Sequence, residues 1–259
     1  MSVAGVREPG GPLPPIGELL SETLADVRTH FEGYLMVGLA HWLVLVPVSV
    51  LFVFGAMLVM YAVMGVGIVF SVGLGEGFAI AGNRDLRDVV VLLGSVFSIG
   101  GGLLLFFVGI TGLAAAFAPL NASVMRAIAA HQRGDAPLRF DAAFATLRQD
   151  LGATIGVALL TGLLSVVGVL FCYVGALVAG VFFGFAPSLV ALHRRGPWEA
   201  VGIAARHALA RPGDHLLMAL TLLMMQFVAA YVPVLGHAFV LAFSVRAFRK
   251  MYGDDAAVA

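Results

Sequence analysis

Charge is absent from more than half of this sequence. None of its 15 Lys and Arg or 15 Asp and Glu falls within Gly33–Gly75, Val89–Met125, Leu151–His193 or His215–Val245, runs of 43, 37, 43 and 31 residues. A soluble domain spreads charge along every helix to solvate its outer face. A single helix needs only about 20 apolar residues to cross a bilayer's hydrocarbon core. The missing charge therefore excludes an ordinary soluble domain and predicts an all-α, polytopic membrane helix bundle. Cysteine is nearly absent as well. Cys172 alone excludes an intramolecular disulfide and a CxxC metal site, and between Phe171 and Tyr173 it reads as a small buried hydrophobe. A net charge of zero removes any global field that would attract nucleic acid. No HExxH, GxSxG or Walker-type phosphate loop occurs, so no enzyme, cofactor or metal site is expected. No Asp or Glu lies within a run, which argues against ion-coupled transport.

What is present is a topology. Hydrophobic residues make up 61% and charged residues 12%. Residues 1–15, with Gly10, Gly11, Pro12, Pro14 and Pro15 and no apolar h-region, read as a disordered leader. Residues 253–259 read as a disordered tail, and 16–252 as one transmembrane domain. Leu151–His193 divides near Phe171–Gly175 and His215–Val245 divides near Tyr231–Pro233, so each is long enough for a helical hairpin. Gly33–Gly75 and Val89–Met125 read either as single long helices or as tight hairpins. Arginines cluster between Arg126 and Arg148, between Arg194 and Arg211, and beside Lys250. The positive-inside rule keeps these clusters on one side, which requires the first two runs to be both single or both paired. The acid-rich loop Glu76–Asp88 favours the external side. Six spans with both termini cytoplasmic is the expectation; eight is the alternative.

Three segments carry amphipathic stripes and are expected as helices on the cytoplasmic face: Ile16, Leu20, Leu24, Val27 and Phe31; Phe140, Phe144, Leu147 and Leu151; and Trp198, Val201, Ala205 and Leu209. Ala176, Gly180 and Gly184 recur every fourth residue and predict a helix-packing seam, within the chain or in a homodimer. The Gly100–Gly102 triplet reads as a flaw in a helix. His41 and His237 lie within spans and are candidate intramembrane polar contacts. Arg194, Arg195, Arg206 and Arg211 are topology signals and candidate contacts for anionic lipid.

Several later features carry a resemblance: Arg133-Gly-Asp-Ala-Pro137 with Phe140 and Phe144, Ala186-Pro187, Gly196-Pro-Trp-Glu-Ala200, Pro233 and Tyr252. From about Arg126 the chain resembles a broad bacterial group of six-span proteins. The group includes the membrane domain fused to some glycerophosphodiester phosphodiesterases and many uncharacterised stand-alone proteins. The resemblance implies six spans. The phosphodiesterase reaction belongs to a domain outside the resemblance and is not implied. The group's Glu-Ala helix carries a serine one turn on, where this chain has Ala204. The expected role is a non-enzymatic organising or accessory component of the membrane, partnered by the lipid bilayer, anionic lipids and other membrane proteins. Transport of a small apolar or lipid-like solute is the alternative.

Overall fold

An apolar chain in a low-dielectric surrounding must satisfy its backbone N–H and C=O groups internally, and a helix does so within one segment. The computed structural model describes residues 13–80, 82, 84–170 and 174–253, and its regular elements are all helical. In chain order they are α1 (Ile16–Thr29), α2 (Phe31–Ile80), α3 (Arg84–Gln132), a 3₁₀ turn (Asp141–Ala143), α4 (Leu151–Leu170), α5 (Val174–Phe183), α6 (Ala186–His193), α7 (Pro197–Ala210), α8 (Pro212–Ala229) and α9 (Pro233–Tyr252). Residues 1–12 of the leader, Cys172, and residues 254–259 of the tail lie outside the described residues.

Four helices are long and apolar enough to cross a membrane: Phe31–Ala79, Asp85–Gln132, Leu151–Gly168 and Pro212–Ala229. Each of the first two runs is thus one continuous helix rather than a tight hairpin. At 1.5 Å per residue, α2 and α3 are each about 75 Å long, more than twice the ~30 Å hydrocarbon core. Gly100–Gly102 lies inside α3 and does not interrupt it, which corrects the expected flaw. The span expected near Gly175–His193 is broken instead. α5 ends at Phe183, Gly184 donates back to Gly180 O (2.9 Å), and Pro187, which has no N–H to give, opens α6.

The contacts divide the helical domain expected over 16–252 into two compact units, Met1–Val46 with Ala114–Ala259, and Pro47–Leu113. Pro47–Leu113 is an antiparallel hairpin of the facing stretches of α2 and α3. Its register is set by small residues. A Cβ added to Gly67 would strike Ser98, one on Gly94 would strike Ser71, and one on Gly102 would strike Met64. Ser71 and Ser98 turn their hydroxyls onto the carbonyls of Ile68 and Gly94, at 2.9 and 2.6 Å, so neither hydroxyl is orphaned at the seam. Leu51, Leu58, Val66, Val69, Phe70 and Phe97 all point outward and are well exposed.

The other unit is a bundle around Leu19, Val157, Phe185, Leu189, Met218, Phe243, Phe248 and Met251. α6 is buried through Ala186, Ser188, Leu189, Val190 and Ala191. α7 packs through Ala200, Ala204 and Ala208, small side chains that admit close approach. The expected stripe is left facing outward: Trp198 and Leu209 are 76% and 67% exposed. α1 likewise buries Leu19, Thr23 and Val27, whereas Leu24 and the adjoining Phe31 are exposed. The third stripe, Phe140–Leu151, is not an α-helix before α4. Arg126 captures its carbonyls, with Nη1 3.3 Å from Thr146 O and 3.4 Å from Gln149 O, and pairs with Asp150 at 3.0 Å. Asp150 itself adopts a φ of 55°, which disrupts the helical path into α4.

Candidate functional site

The chemistry-bearing side chains of the bundle converge on α1. Glu22 and Asp26 lie one turn apart on the same face, and Arg246 and Lys250 repeat that spacing on α9. Asp26 Oδ2 accepts from Arg246 Nη2 and from the Tyr34 hydroxyl, both at 2.8 Å. Glu22 stands 3.8 Å from Arg246 and 3.6 Å from Lys250. The other oxygen of Asp26, Oδ1, meets His30 Nδ1 at 3.1 Å and His131 Nε2 at 3.5 Å. Asp26 is 13% exposed and Arg246 16%, so this pair is largely removed from water and fixes α1 against α9. Gln132 adds a second tie, from Nε2 to Ala242 O at 3.1 Å.

Beside this cluster is a cleft of about 630 Å³, whose lining includes His30, His131, Arg133, Pro137 and Arg246. A local turn forms one wall. Gly134, at a φ of 80°, donates to His131 O (2.8 Å), and Asp135 donates to Ala130 O (2.9 Å). A side chain at Gly134 would strain this left-handed turn. Gly33 then admits Leu138 at close range. Asp26, His30 and His131 are the one group of three metal-ligand side chains among the described residues whose donor atoms lie within 4.8 Å of one another.

On the opposite flank of α1, a groove of about 650 Å³ runs between α1, α8 and α9. Leu20, Leu24, Met224, Val228, Leu235 and Phe239 are among the residues that form it. Thr221 is the single polar side chain in the lining, and its hydroxyl is already spent on Leu217 O at 2.8 Å. The groove can hold an apolar chain and offers a polar ligand nothing.

Two histidine pairs lie deeper. His41 and His237, the sequence-predicted polar contacts, do come together, with ring centroids 4.4 Å apart. Neither nitrogen of His41 has a hydrogen-bond partner, so the contact is ring against ring rather than a hydrogen bond between helices. His207 and His215 form the second pair, Nδ1 to Nε2 at 2.7 Å. His215 Nδ1 faces Val181 O at 3.1 Å and must carry the proton there; its Nε2 then accepts from His207 Nδ1–H. Burial first, then the proximity of His215 and Arg211, pushes the pKa of His207 down to about 4. His207 is therefore neutral at pH 7. Tyr252 stacks on His207 at 4.3 Å.

The remaining predicted residues do not share a site. Arg195 pairs with Glu199 at 3.0 Å, Arg206 is exposed on α7, and Arg194 caps α6 with a φ of 52°. Arg211 stands at the far end of α7. At Gly180 and Gly184 the predicted small-residue seam makes no close approach to another helix of this chain. Gly180 is exposed with nothing within 4 Å of an added Cβ, Gly184 sits in the α5–α6 break, and the side chain of Ala176 lies outside the described residues. Close backbone approaches occur at Gly38, against Val234 O, at Gly175, against Gly168, and at Gly236, against Ala229. The Asp26 cluster escaped the sequence reading because Arg246 is 220 residues away from Asp26. The one local signal was an acid pair and a base pair, each with four-residue spacing.

These features define an all-α protein with several helices apolar and long enough for a membrane. No protein-family model, curated protein or solved structure matches the chain.

Proposed function

We propose that the protein is a six-span component of a bacterial inner membrane, with both termini cytoplasmic, that organises its surroundings by holding lipid and catalyses no reaction. The observation that carries this reading is the groove between α1, α8 and α9. Its walls are aliphatic and aromatic, its one hydroxyl is internally bonded, and its volume suits an acyl chain. The exposed Trp198 and Leu209 of α7 support it, since an amphipathic helix lying at the headgroup boundary presents such a face. On the same helix and its flanks stand Arg194, Arg195, Arg206 and Arg211. Near an anionic leaflet each basic side chain adds about 1 kcal/mol of attraction.

Six spans follow if α5 and α6 together make one crossing and α9 another, in addition to the four longer helices. The bundle's packed faces and the charge-free spans favour this accessory role over transport. Lipid analysis of the purified protein in nanodiscs tests it. Phospholipid should co-purify with the wild type, and Val228→Trp with Met224→Trp, which fill the groove, should reduce it severalfold. Wild-type protein that retains no lipid, or proton- or sodium-dependent solute uptake after reconstitution, overturns the reading.

A further inference from the structure

The Asp26 cluster contains more than an ion pair requires. Arg246 and Tyr34 both take Oδ2, which leaves Oδ1 turned toward two imidazole nitrogens. His131 Nε2 is buried and has no hydrogen-bond partner, although it lies 3.5 Å from that oxygen. An orphaned buried nitrogen aimed at a carboxylate costs stability unless something occupies the space between them. The rings of His30 and His131 meet edge to face, at 82° with centroids 4.4 Å apart, which holds both imidazoles beside Oδ1 but gives His131 Nε2 no hydrogen-bond partner.

We propose that Asp26, His30 and His131 bind a divalent transition-metal ion of the zinc type. Ligand bonds of 2.0–2.2 Å in a tetrahedral arrangement place ligand atoms about 3.4 Å apart. The Oδ1–Nδ1 and Oδ1–Nε2 separations, 3.1 and 3.5 Å, already match that edge. The third edge lies within 4.8 Å, and the His30 side chain, 49% exposed, is free to swing inward. Arg246 and Tyr34 act as the outer partners that orient a ligating carboxylate, while Glu22 offsets the charge of Arg246. Two imidazoles select a borderline-soft ion over Mg²⁺ or Ca²⁺, which prefer oxygen. The cleft beside Arg133 and Pro137, which Asp26, His30 and His131 also line, leaves room for a water as the fourth ligand. Such an ion ties the end of α1 to the end of α3.

The test uses the full chain in detergent, stripped with chelator and titrated with Zn²⁺. One zinc per chain should bind to wild type and raise its Tm, and equal Mg²⁺ should do neither. His30→Ala and His131→Ala should each weaken zinc binding at least tenfold and abolish the Tm increase, whereas His207→Ala should keep both. His30 is half-exposed, so His30→Ala retains its metal-free Tm and keeps the comparison valid if His131→Ala fails to fold. Substoichiometric zinc on wild type, an equal response to Mg²⁺, or undiminished binding by His30→Ala overturns the site.

Discussion

The hairpin Pro47–Leu113 and the bundle formed by the rest of the chain reach the same secondary structure by different means. In the hairpin, glycines meet serines along one seam, every outward residue named above is apolar, and histidine is absent. The bundle withdraws side chains that can bond or titrate: Asp26 with Arg246, His207 with His215, and Arg126, whose partner Asp150 stays exposed. Close helix packing at the Gly67–Ser98 and Gly94–Ser71 contacts therefore needs only small uncharged residues, and the hairpin's Arg87–Glu76 ion pair lies beyond them and is exposed. Holding a short amphipathic helix such as α1 in place takes a directional polar contact, and each such contact brings a desolvation cost that its partner must offset.

The sharpest way to break the comparison is by topology. Single cysteines at Arg84, at the start of α3, and Arg133, just past its end, with Cys172 replaced, should label in an all-or-none contrast when intact cells meet an impermeant reagent. Equal labelling of both would place the two loops on one side and support eight spans.

Next in size is Arg246→Ala, which leaves Asp26 buried without its cation. Removing one member of a buried pair costs about 3–5 kcal/mol, so the bundle's thermal transition in detergent should fall by many degrees. A change within error would mean that water replaces the guanidinium freely.

Gly94→Leu in the hairpin should cost about 1–3 kcal/mol, the usual range for overpacking, because the added side chain meets Ser71. Gly180→Leu in the bundle, with open space around it, should be near neutral. Detergent thermal stability of the two variants ranks them, and the reverse order would reassign the seam to Gly180.

The smallest expected effect is on pH. The native pKa of His207 is depressed to about 4 from 6.5. Between those values the unfolded chain binds a proton that the native bundle does not. Stability is therefore fully present above pH 6.5 and declines as pH falls toward 4. Between pH 6.5 and 5, wild type should lose thermal stability and His207→Phe, which keeps an aromatic ring against Tyr252, should lose less. The hairpin has no histidine to titrate in that window, so hydrogen-exchange protection in 47–113, taken relative to the intrinsic rate at each pH, should stay flat.

Four absences of charge were enough to read an all-α membrane-type chain from the sequence, because backbone satisfaction in an apolar medium leaves few alternatives to a helix. The sequence also singled out His41 and His237, whose rarity at that depth is visible without coordinates. Which face of a helix packs was not legible. In α7 the large residues Trp198 and Leu209 look outward and Ala200, Ala204 and Ala208 look inward, because in lipid small residues make the close contact and large ones face the solvent. Only the tertiary structure decided that Gly180 is open, that Arg126 unwinds the third stripe, and that Asp26 meets Arg246, His30 and His131. A helix's composition determines that it forms, whereas partners far apart in sequence decide where it turns and what it binds.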